Sequence, residues 1–560
     1  MTKHVDTSDC KTDAPCPADV AEIESPDVVL LADAALPSVP CPTLTPQDAS
    51  YEPGNEEPCR NLIDQVVAAD PHTFTLGDRG GPLIILRVPK EELLPSETKW
   101  EGDLPGTTLA TAADVVERAQ RIDWYRPGKG EGRVRIHAPR LFASDYLVQR
   151  RGRYGARVLT GISRVPPIED DGTVGFLSGH DAHTGLYYDR PVEFDIPELV
   201  SHDDAREAAK QLMLPCAEYN LGEPNEAWAL ILALYFTALR RPYLSTAPMF
   251  VVRSSMAGTG KGLLLKSAAH LAFNTVPTLL TWGGNAEEFE KRLASVMLHM
   301  PAILNIDNAN GMMVAGDLLE SLITEGGAEI RPLGRSETIR IRNRSLICLT
   351  GNNPIITGDM ARRTIVLDVV PRSADPERDR YNSHPVDMVV ERRFEFLGYA
   401  YTAMRGFRQA GMPSGGLPAV GSFDAWSHQI RDLVYWLTDY DVSECFRRNK
   451  AEDPRRQNDA SLLAALDGHF GMAPFRAAEV ILVYQRVEDH RRSPYAHSAP
   501  KSSEQLVHDA LDDVLGSRGV NAKLLGFWAR RVKGAHQGGF VLETQHDAAT
   551  NSNTITVTRK

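Results

Sequence analysis

The apolar residues of the central chain fall into short runs that are separated by longer, periodic patterns. A longer pattern over 225–239 predicts a helix, and four short runs after it predict strands at 247–252, 302–306, 344–349 and 364–369. Strands that alternate with helices of this length are typical of an α/β fold with a doubly wound parallel sheet. Ligands of such sheets bind at the carboxyl ends of the strands, so the residues that follow these strands are candidate site residues.

The two flanking regions show different patterns. Residues 58–200 have a mixed α/β pattern, with a strand predicted at 83–86 and a helix at 111–121. Residues 455–560 predict helices at 460–467, 504–515 and 521–532, then a glycine-rich turn and a strand at 540–543. That order is typical of a winged-helix-like DNA-binding domain, although an ordinary helical cap fits the pattern about as well. The candidate DNA-binding residues at the end of its last helix are Arg530, Arg531 and Lys533.

The run RSSMAGTGKGL (253–263) lies between the first strand of the central region and a helical run. This layout is typical of a P-loop, in which backbone N–H groups and a lysine hold the phosphates of a nucleoside triphosphate beside Mg²⁺. The pattern G-x-x-x-x-G-K-[ST] expects Gly at 255 and a hydroxyl at 262, so Gly262 offers the metal no oxygen; a chance glycine-rich turn is the alternative. The candidate nucleotide-binding residues are Ser255, Gly258, Thr259, Gly260, Lys261 and Gly262.

Polar residues end the next two strands. Asp307 follows the apolar run ILNI and is the candidate Mg²⁺ ligand, whereas Asn308 stands where many ATPases carry a catalytic glutamate. Asn352 follows the next strand, where its amide would contact the attacking water and the γ-phosphate; an asparagine-rich turn is the alternative. Arg362 and Arg363 precede the last strand, and either could act as an arginine finger on a neighbouring subunit.

Five arginines lie within 331–344, between the second and third strands. Arg340 and Arg342 alternate with isoleucines at strand spacing, and Gly334 permits a tight turn. The pattern predicts a β-hairpin whose basic residues hold DNA phosphates in the channel of a ring, or else a solvated hairpin. The candidate DNA-binding residues of this hairpin are Arg331, Arg335 and Arg340.

Charge is unevenly distributed along the chain of 560 residues. The net charge is −13, but residues 1–60 hold twelve acidic and three basic side chains, so net charge does not exclude DNA binding. Residues 1–57 lack apolar periodicity and predict a disordered acidic tail, whereas basic residues recur in 126–158. The seven cysteines form no C-x-x-C pair, and no signal peptide or membrane span is predicted. These features favour the cytoplasm.

Six stretches together resemble a known family. They are, in chain order, AGTGKGLL, EEFEKRL, ILNIDNANG, IRPLGRSETIRIRNRS, LTGNNPIITGDMARRTIVLDV and GSFDAWSHQIRDLV. Their order and spacing resemble the AAA+ helicase core of superfamily 3 type, as found in primase-helicases of phages, plasmids and integrated elements. The resemblance covers roughly 205–440 and extends weakly to 69–86 and 171–188, which look like the helicase-associated N-terminal region of such proteins.

The resemblance implies a homo-hexameric ring that uses ATP and Mg²⁺ to move along single-stranded or forked DNA in the replication of a phage or mobile element. Any primase or polymerase would be a separate chain. The implied domains are a helicase-associated α/β domain at 58–204, a P-loop AAA+ core at 205–450 and the winged-helix-like domain at 455–560. Two alternatives remain: a DNA-binding AAA+ switch or loader with weak or no unwinding, and an interaction protein on an inactive P-loop fold.

Overall fold

A computed structural model describes residues 48–52, 55–76, 81–87, 106–130, 132–150, 154–189, 193–283, 285–314, 316–331, 338–379, 381–492, 502–516, 519–547 and 552–560. The chain forms two compact units. One holds residues 1–354 and 363–445, and the other holds 355–362 and 446–560. The longer segment of the second unit begins at Phe446.

The described residues of the N-terminal part of the first unit form three helices and three small sheets. Its elements are β1 (Asp48–Ser50), α1 (Glu57–Ala69), β2 (Thr73–Leu76), β3 (Leu83–Arg87), β4 (Gly106–Leu109), α2 (Ala112–Ala119), β5 (Asp123–Pro127), β6 (Arg133–Ile136), α3 (Arg140–Gln149), β7 (Arg157–Leu159), β8 (Gly161–Ser163), β9 (Gly179–His180) and β10 (Leu186–Tyr188). The sheet orders are β1-β5-β6, β4-β3-β2-β7 and β8-β10-β9.

The mixed α/β pattern predicted for this region is present. The predicted strand at 83–86 is β3, and the predicted helix at 111–121 is α2, where Thr111 forms a capping box with Asp114. The predicted tail is too long at its C-terminal end, because residues 48–50 form β1 and Ala49 is buried in the core. Residues 1–47 of that prediction lie outside the described residues.

The rest of the first unit is built around a larger sheet. The elements between residues 202 and 438 are α4 (His202–Leu212), α5 (Pro224–Arg240), β11 (Met249–Ser254), α6 (Lys261–Phe273), β12 (Thr278–Thr281), α7 (Ala286–Met297), β13 (Ile303–Asp307), β14 (Met313–Val314), α8 (Asp317–Thr324), β15 (Gly327–Ile330), β16 (Ile339–Arg342), β17 (Leu346–Asn352), β18 (Ile355–Ile356, in the second unit), β19 (Thr364–Asp368), α9 (Pro385–Glu391), α10 (Arg393–Gln409), α11 (Asp424–Trp426) and α12 (Asp432–Thr438).

This sheet has five strands in the order β12-β13-β17-β11-β19, and all neighbouring strands are parallel. The predicted α/β class and parallel sheet are therefore confirmed. All four predicted strands are present, and β12 is a fifth that the apolar pattern missed. The order places β17 between β11 and β13, so the ends of these three strands meet at one edge of the sheet.

Two buried arginines anchor the C-terminal end of α6. Arg393 donates to the carbonyl oxygens of His270 (2.9 Å), Leu271 and Ala272, and Arg164 donates to that of Phe273 (3.0 Å). Positive charge is favourable there because the helix dipole leaves the last carbonyls partly negative. Burial lowers the pKa of Arg393 to about 9. Arg164 belongs to the N-terminal part of the unit, so that part helps to fix α6.

The second unit has a helical core closed by a small antiparallel sheet. Apart from β18 its elements are α13 (Glu444–Glu452, which begins in the first unit), α14 (Pro454–Phe470), β20 (Phe475–Arg476), α15 (Ala477–Arg492), α16 (Ser502–Leu515), α17 (Ala522–Val532), β21 (His536–Gln537), β22 (Phe540–Asp547) and β23 (Ser552–Arg559). The sheet order is β20-β23-β22-β21. The predicted helices are present as α14, α16 and α17, whereas α15 and β23 were missed.

Candidate nucleotide-binding site

The segment 255–260 connects β11 to α6 at the edge of the central sheet. Gly258 and Gly260 have positive φ angles of 74° and 81°, conformations that glycine adopts without steric cost. Lys261 is the first residue of α6, and its Nζ donates to Met256 O (2.7 Å) and to Asn352 Oδ1 (2.9 Å). Burial lowers the pKa of Lys261, while the charge of Asp307 opposes that change. This segment therefore has the shape of a P-loop, and the Lys261 ammonium points toward the loop backbone and Asn352.

The end of β17 brings Asn352 next to the P-loop. In the parallel register Asn352 aligns with Ser254, the last residue of β11. Its backbone N–H donates to the side chain of Asn310 (2.6 Å), and its backbone carbonyl accepts from Gly311 (2.9 Å). These bonds hold the residue from both sides while its side-chain oxygen contacts Lys261. The geometry lets the Asn352 amide act on a group bound at the lysine.

Asp307 ends β13 on the far side of β17 from the P-loop strand. Thr350 Oγ1 donates a hydrogen bond of 2.5 Å to Asp307 Oδ1, and Asn305 Nδ2 donates to the same hydroxyl (3.1 Å). This chain of bonds orients the carboxylate. The sequence pattern missed Thr350, because only the pairing of β13 with β17 shows that the two side chains meet.

The residues present fit a magnesium ion with few protein ligands. Mg²⁺ keeps several waters and often takes one or two carboxylates together with phosphate oxygens. Asp307 would supply the carboxylate, and a Cβ built at Gly262 would meet no heavy atom within 4 Å. That open space leaves room for a water in place of the usual hydroxyl. Within the described ranges, no group of three or more His, Cys, Asp or Glu side chains could hold a metal.

Asn308, at the position of the usual catalytic glutamate, has a left-handed backbone. Its φ is +64°, which asparagine tolerates better than most residues, and its side chain accepts a 2.5 Å bond from Asn310. Glu287 of α7, the first glutamate of the EEFEKRL stretch, is exposed and pairs with Lys291 at 2.8 Å. Neither observation assigns a catalytic base.

The two candidate finger arginines have different surroundings. Arg363 is 13% exposed and pairs with Glu320 at 2.7 Å, and its carbonyl accepts from Met249 at the start of β11. Arg362 is 48% exposed, belongs to the second unit and pairs with Asp359 at 3.0 Å, three residues away. Arg363 is therefore held at the start of the central sheet, whereas the Arg362 side chain is accessible.

A partly open cavity lies beside the P-loop. Tyr219 lies on its wall and donates from its hydroxyl to Gly260 O (2.9 Å), so this wall is joined to the phosphate loop. The apolar part of the lining suits the flat ring of a nucleobase. The sequence pattern missed this cavity because its walls come from distant segments; among the lining residues are Pro215, Tyr219, Leu263, Val370, Pro371, Tyr381 and Pro385.

The basic hairpin predicted between the second and third strands is formed by β15 and β16. The strands are antiparallel, with Glu329 opposite Arg340, and Ile339 and Ile341 are buried while Arg340 is exposed. Arg331 directly follows β15. Arg335 and the turn lie outside the described residues.

The basic helix α17 has one buried and one exposed face. Arg530 and Lys533 are exposed, and the Arg530 guanidinium lies over the ring of exposed Phe527, 4.7 Å from its centre. Arg531 instead binds both oxygens of the buried Asp459, at 2.8 and 2.7 Å. Arg530 and Lys533 are thus accessible, whereas Arg531 fixes α17 to α14.

Comparison with protein-family models and with curated proteins gives no match. Among solved structures, the NrS-1 C-terminal region is 14% identical over 65% of this chain and 76% of that one, with a TM-score of 0.33. The helicase SCCmec type IV Cch is 12% identical over 82% and 95% (TM-score 0.30), and the JCV helicase 11% over 45% and 74% (0.20). At these scores the likenesses carry no argument, so the function depends on the site's own geometry.

Proposed function

We propose that this protein is an ATP-dependent DNA helicase or translocase with an AAA+ core of superfamily 3 type. The observation that carries the proposal is the contact between Lys261 of the P-loop and Asn352 at the end of β17, with Asp307 ending the next strand. Three residues from separate parts of the sequence thus meet where a triphosphate would lie. If the loop were only a chance glycine-rich turn, nothing would require these three residues to lie close together.

Each residue then has a distinct task in ATP hydrolysis. The P-loop backbone and Lys261 hold the phosphates, and the cavity beside Tyr219 holds the base. Magnesium would be held by Asp307 and would neutralise charge that develops on the phosphate oxygens. Asn352 would release Lys261 to the phosphates and orient the attacking water. This arrangement supports phosphoryl transfer to water as the reaction.

DNA would bind through basic side chains in both compact units. In the core, the β15–β16 hairpin and its turn would contact phosphates through Arg331, Arg335 and Arg340. In the winged-helix-like domain at 455–560, the exposed Arg530 and Lys533 would do so, while Arg531 acts through Asp459. The expected partner is single-stranded or forked DNA.

The proposal includes a homo-hexameric ring in which one subunit completes the site of the next. Arg362 is the better candidate for the finger, because Arg363 is held by Glu320. The role would be replication of a phage or mobile element in the cytoplasm, with any primase or polymerase on a separate chain. Among the described residues no helix is both long and apolar enough to cross a membrane.

The test is ATP hydrolysis with and without single-stranded DNA. Wild type should hydrolyse ATP faster with DNA, and Lys261→Ala and Asp307→Ala should lose turnover. Lys266→Ala is the matched control, because Lys266 is an exposed lysine of the same helix. Unchanged hydrolysis in Lys261→Ala would refute the proposal.

A second function is favoured by Gly262 and Asn308, which depart from the usual metal and base positions. It is a nucleotide-dependent switch or loader that binds ATP and DNA with weak or no unwinding. Tight ATP binding without phosphate release, with or without DNA, would favour this second function over the first.

A further inference from the structure

The sheet β1-β5-β6 in the N-terminal part of the first unit has one face covered and one face open. Ala49 and Trp124 are buried in the local core, which is built from α1, α2 and α3. Because neighbouring residues of a strand point to opposite faces, Tyr125 points away from this core, and its register partner Arg135 shares that face. The open face therefore carries an aromatic ring next to basic side chains.

Tyr125 and Arg133 are in direct contact on this open face. The Arg133 guanidinium lies 4.7 Å from the centre of the Tyr125 ring and is 57% exposed, with a long 3.4 Å pair to Asp48. Arg135 is also largely exposed and pairs with Asp123. Flat rings and flat guanidinium groups are the surfaces on which unpaired bases stack.

The turn of the β5–β6 hairpin carries a further exposed basic side chain. Lys129 in the turn and Arg126 at the end of β5 are exposed, and no hydrogen bond or ion pair joins either side chain to another described residue. The turn is closed by a 2.7 Å bond from Gly128 N to Gly132 O. The hairpin thus holds exposed basic side chains beside an aromatic ring.

We propose that this open face, formed by Tyr125, Lys129, Arg133 and Arg135, binds a single strand of nucleic acid. Bases stack on the Tyr125–Arg133 pair, and Lys129 and Arg135 hold the phosphates. An acidic protein segment would pair with the basic side chains but would have no base to stack on the Tyr125 ring. The inference depends on the proposed function only in taking nucleic acid as the partner, and it adds a contact surface outside the ATPase core.

The test is the anisotropy of a labelled oligo(dT) strand titrated with the full chain, without nucleotide and at several salt concentrations. Lys129→Glu/Arg135→Glu should weaken binding and make the salt slope shallower by about 1.4, since each phosphate contact on a single strand contributes about 0.7. Tyr125→Ala should weaken binding by about 5- to 150-fold, equivalent to about 1–3 kcal/mol per stacked base, while Tyr125→Phe should bind normally.

The matched control is Lys210→Glu/Lys291→Glu, which reverses two lysines that pair with nearby glutamates of their own helices. It should bind like wild type. Hairpin variants that keep wild-type affinity and salt slope would overturn the inference while leaving the proposed function intact. A loss confined to duplex DNA would also overturn it. If wild type bound no oligo(dT), the proposed function itself would fail. Unchanged DNA-independent ATP hydrolysis in the variants would show that they are folded.

Discussion

Lys261 Nζ and Asn352 Oδ1 lie 2.9 Å apart although the two residues are 91 positions apart in the sequence. The contact exists because β17 lies directly beside β11, and both strands end at the same edge of the sheet. It joins the lysine proposed to bind phosphate to the residue proposed to orient water. The two side chains should therefore act as a pair that binding of ATP separates.

Asn352→Ala should bind ATP but hydrolyse it about 10²–10³-fold more slowly, the range seen when one positioned catalytic hydrogen-bonding group is removed. In this variant, Lys261 and the P-loop would still bind the phosphates, whereas the attacking water would lose its hydrogen-bond partner. Nucleotide affinity and single-turnover rate measure the two effects separately. Asn55→Ala, at an exposed asparagine before α1, is the control. Normal turnover in Asn352→Ala would remove Asn352 from the mechanism.

Gly262→Ser should reduce the Mg²⁺ concentration needed for ATP binding by about fivefold, the effect of one added interaction of about 1 kcal/mol. The new side chain has open space around it and would restore an oxygen near the metal. Titration of ATP binding with Mg²⁺ measures the change. No shift would mean that the metal lies elsewhere.

Gly258→Ala is the contrasting change in the same loop. Its Cβ would lie 2.4 Å from Glu377 Cγ, at a backbone φ of +74°. We expect this variant to lose ATP affinity, since the loop must shift to relieve the contact. An affinity equal to wild type would show that the loop geometry is not required.

Arg362→Ala should abolish turnover while leaving ATP affinity unchanged, because an arginine finger contributes about 10³–10⁵ in rate. Mixed rings resolve whether it acts on a neighbour: Arg362→Ala subunits mixed with Lys261→Ala subunits should recover part of the activity. Arg363→Ala should instead lower stability by breaking the pair with Glu320. Full activity in Arg362→Ala would exclude this arginine as the finger.

Asp459→Ala should destabilise the second unit by about 1–3 kcal/mol in urea unfolding. Asp459 is 3% exposed and accepts bonds from Trp528 and Arg531, but Arg531 is 54% exposed, so solvent screens part of the interaction. Asp513→Ala, at an exposed aspartate of α16, is the control. Equal unfolding midpoints for both variants would contradict the role given to Asp459.

Four of the five described strands of the central sheet and the residues at their ends could be predicted from sequence, because each apolar run is local and parallel strands end together. Asp307 and Asn352 were found in this way. Thr350, Tyr219 and the Arg363–Glu320 pair could not be, since they depend on contacts between distant segments.

Two elements of the second unit could have been found from their own patterns. The buried Val480, Val483 and Val487 of α15 have helical spacing. The alternation of Thr554, Ile555, Thr556 and Val557 is typical of the strand β23. The inclusion of residues 355–362 in this unit has no local signal, because it follows from long-range contacts such as that from Gly358 N to Asp453 (2.8 Å).

Strand displacement on a forked DNA substrate tests the central claim most directly. With ATP and Mg²⁺, wild type and Lys266→Ala should release the labelled strand, whereas Lys261→Ala should bind the fork and release none. Displacement that persists in Lys261→Ala, or ATP hydrolysis by wild type without any displacement, would contradict the assignment of this protein as a helicase.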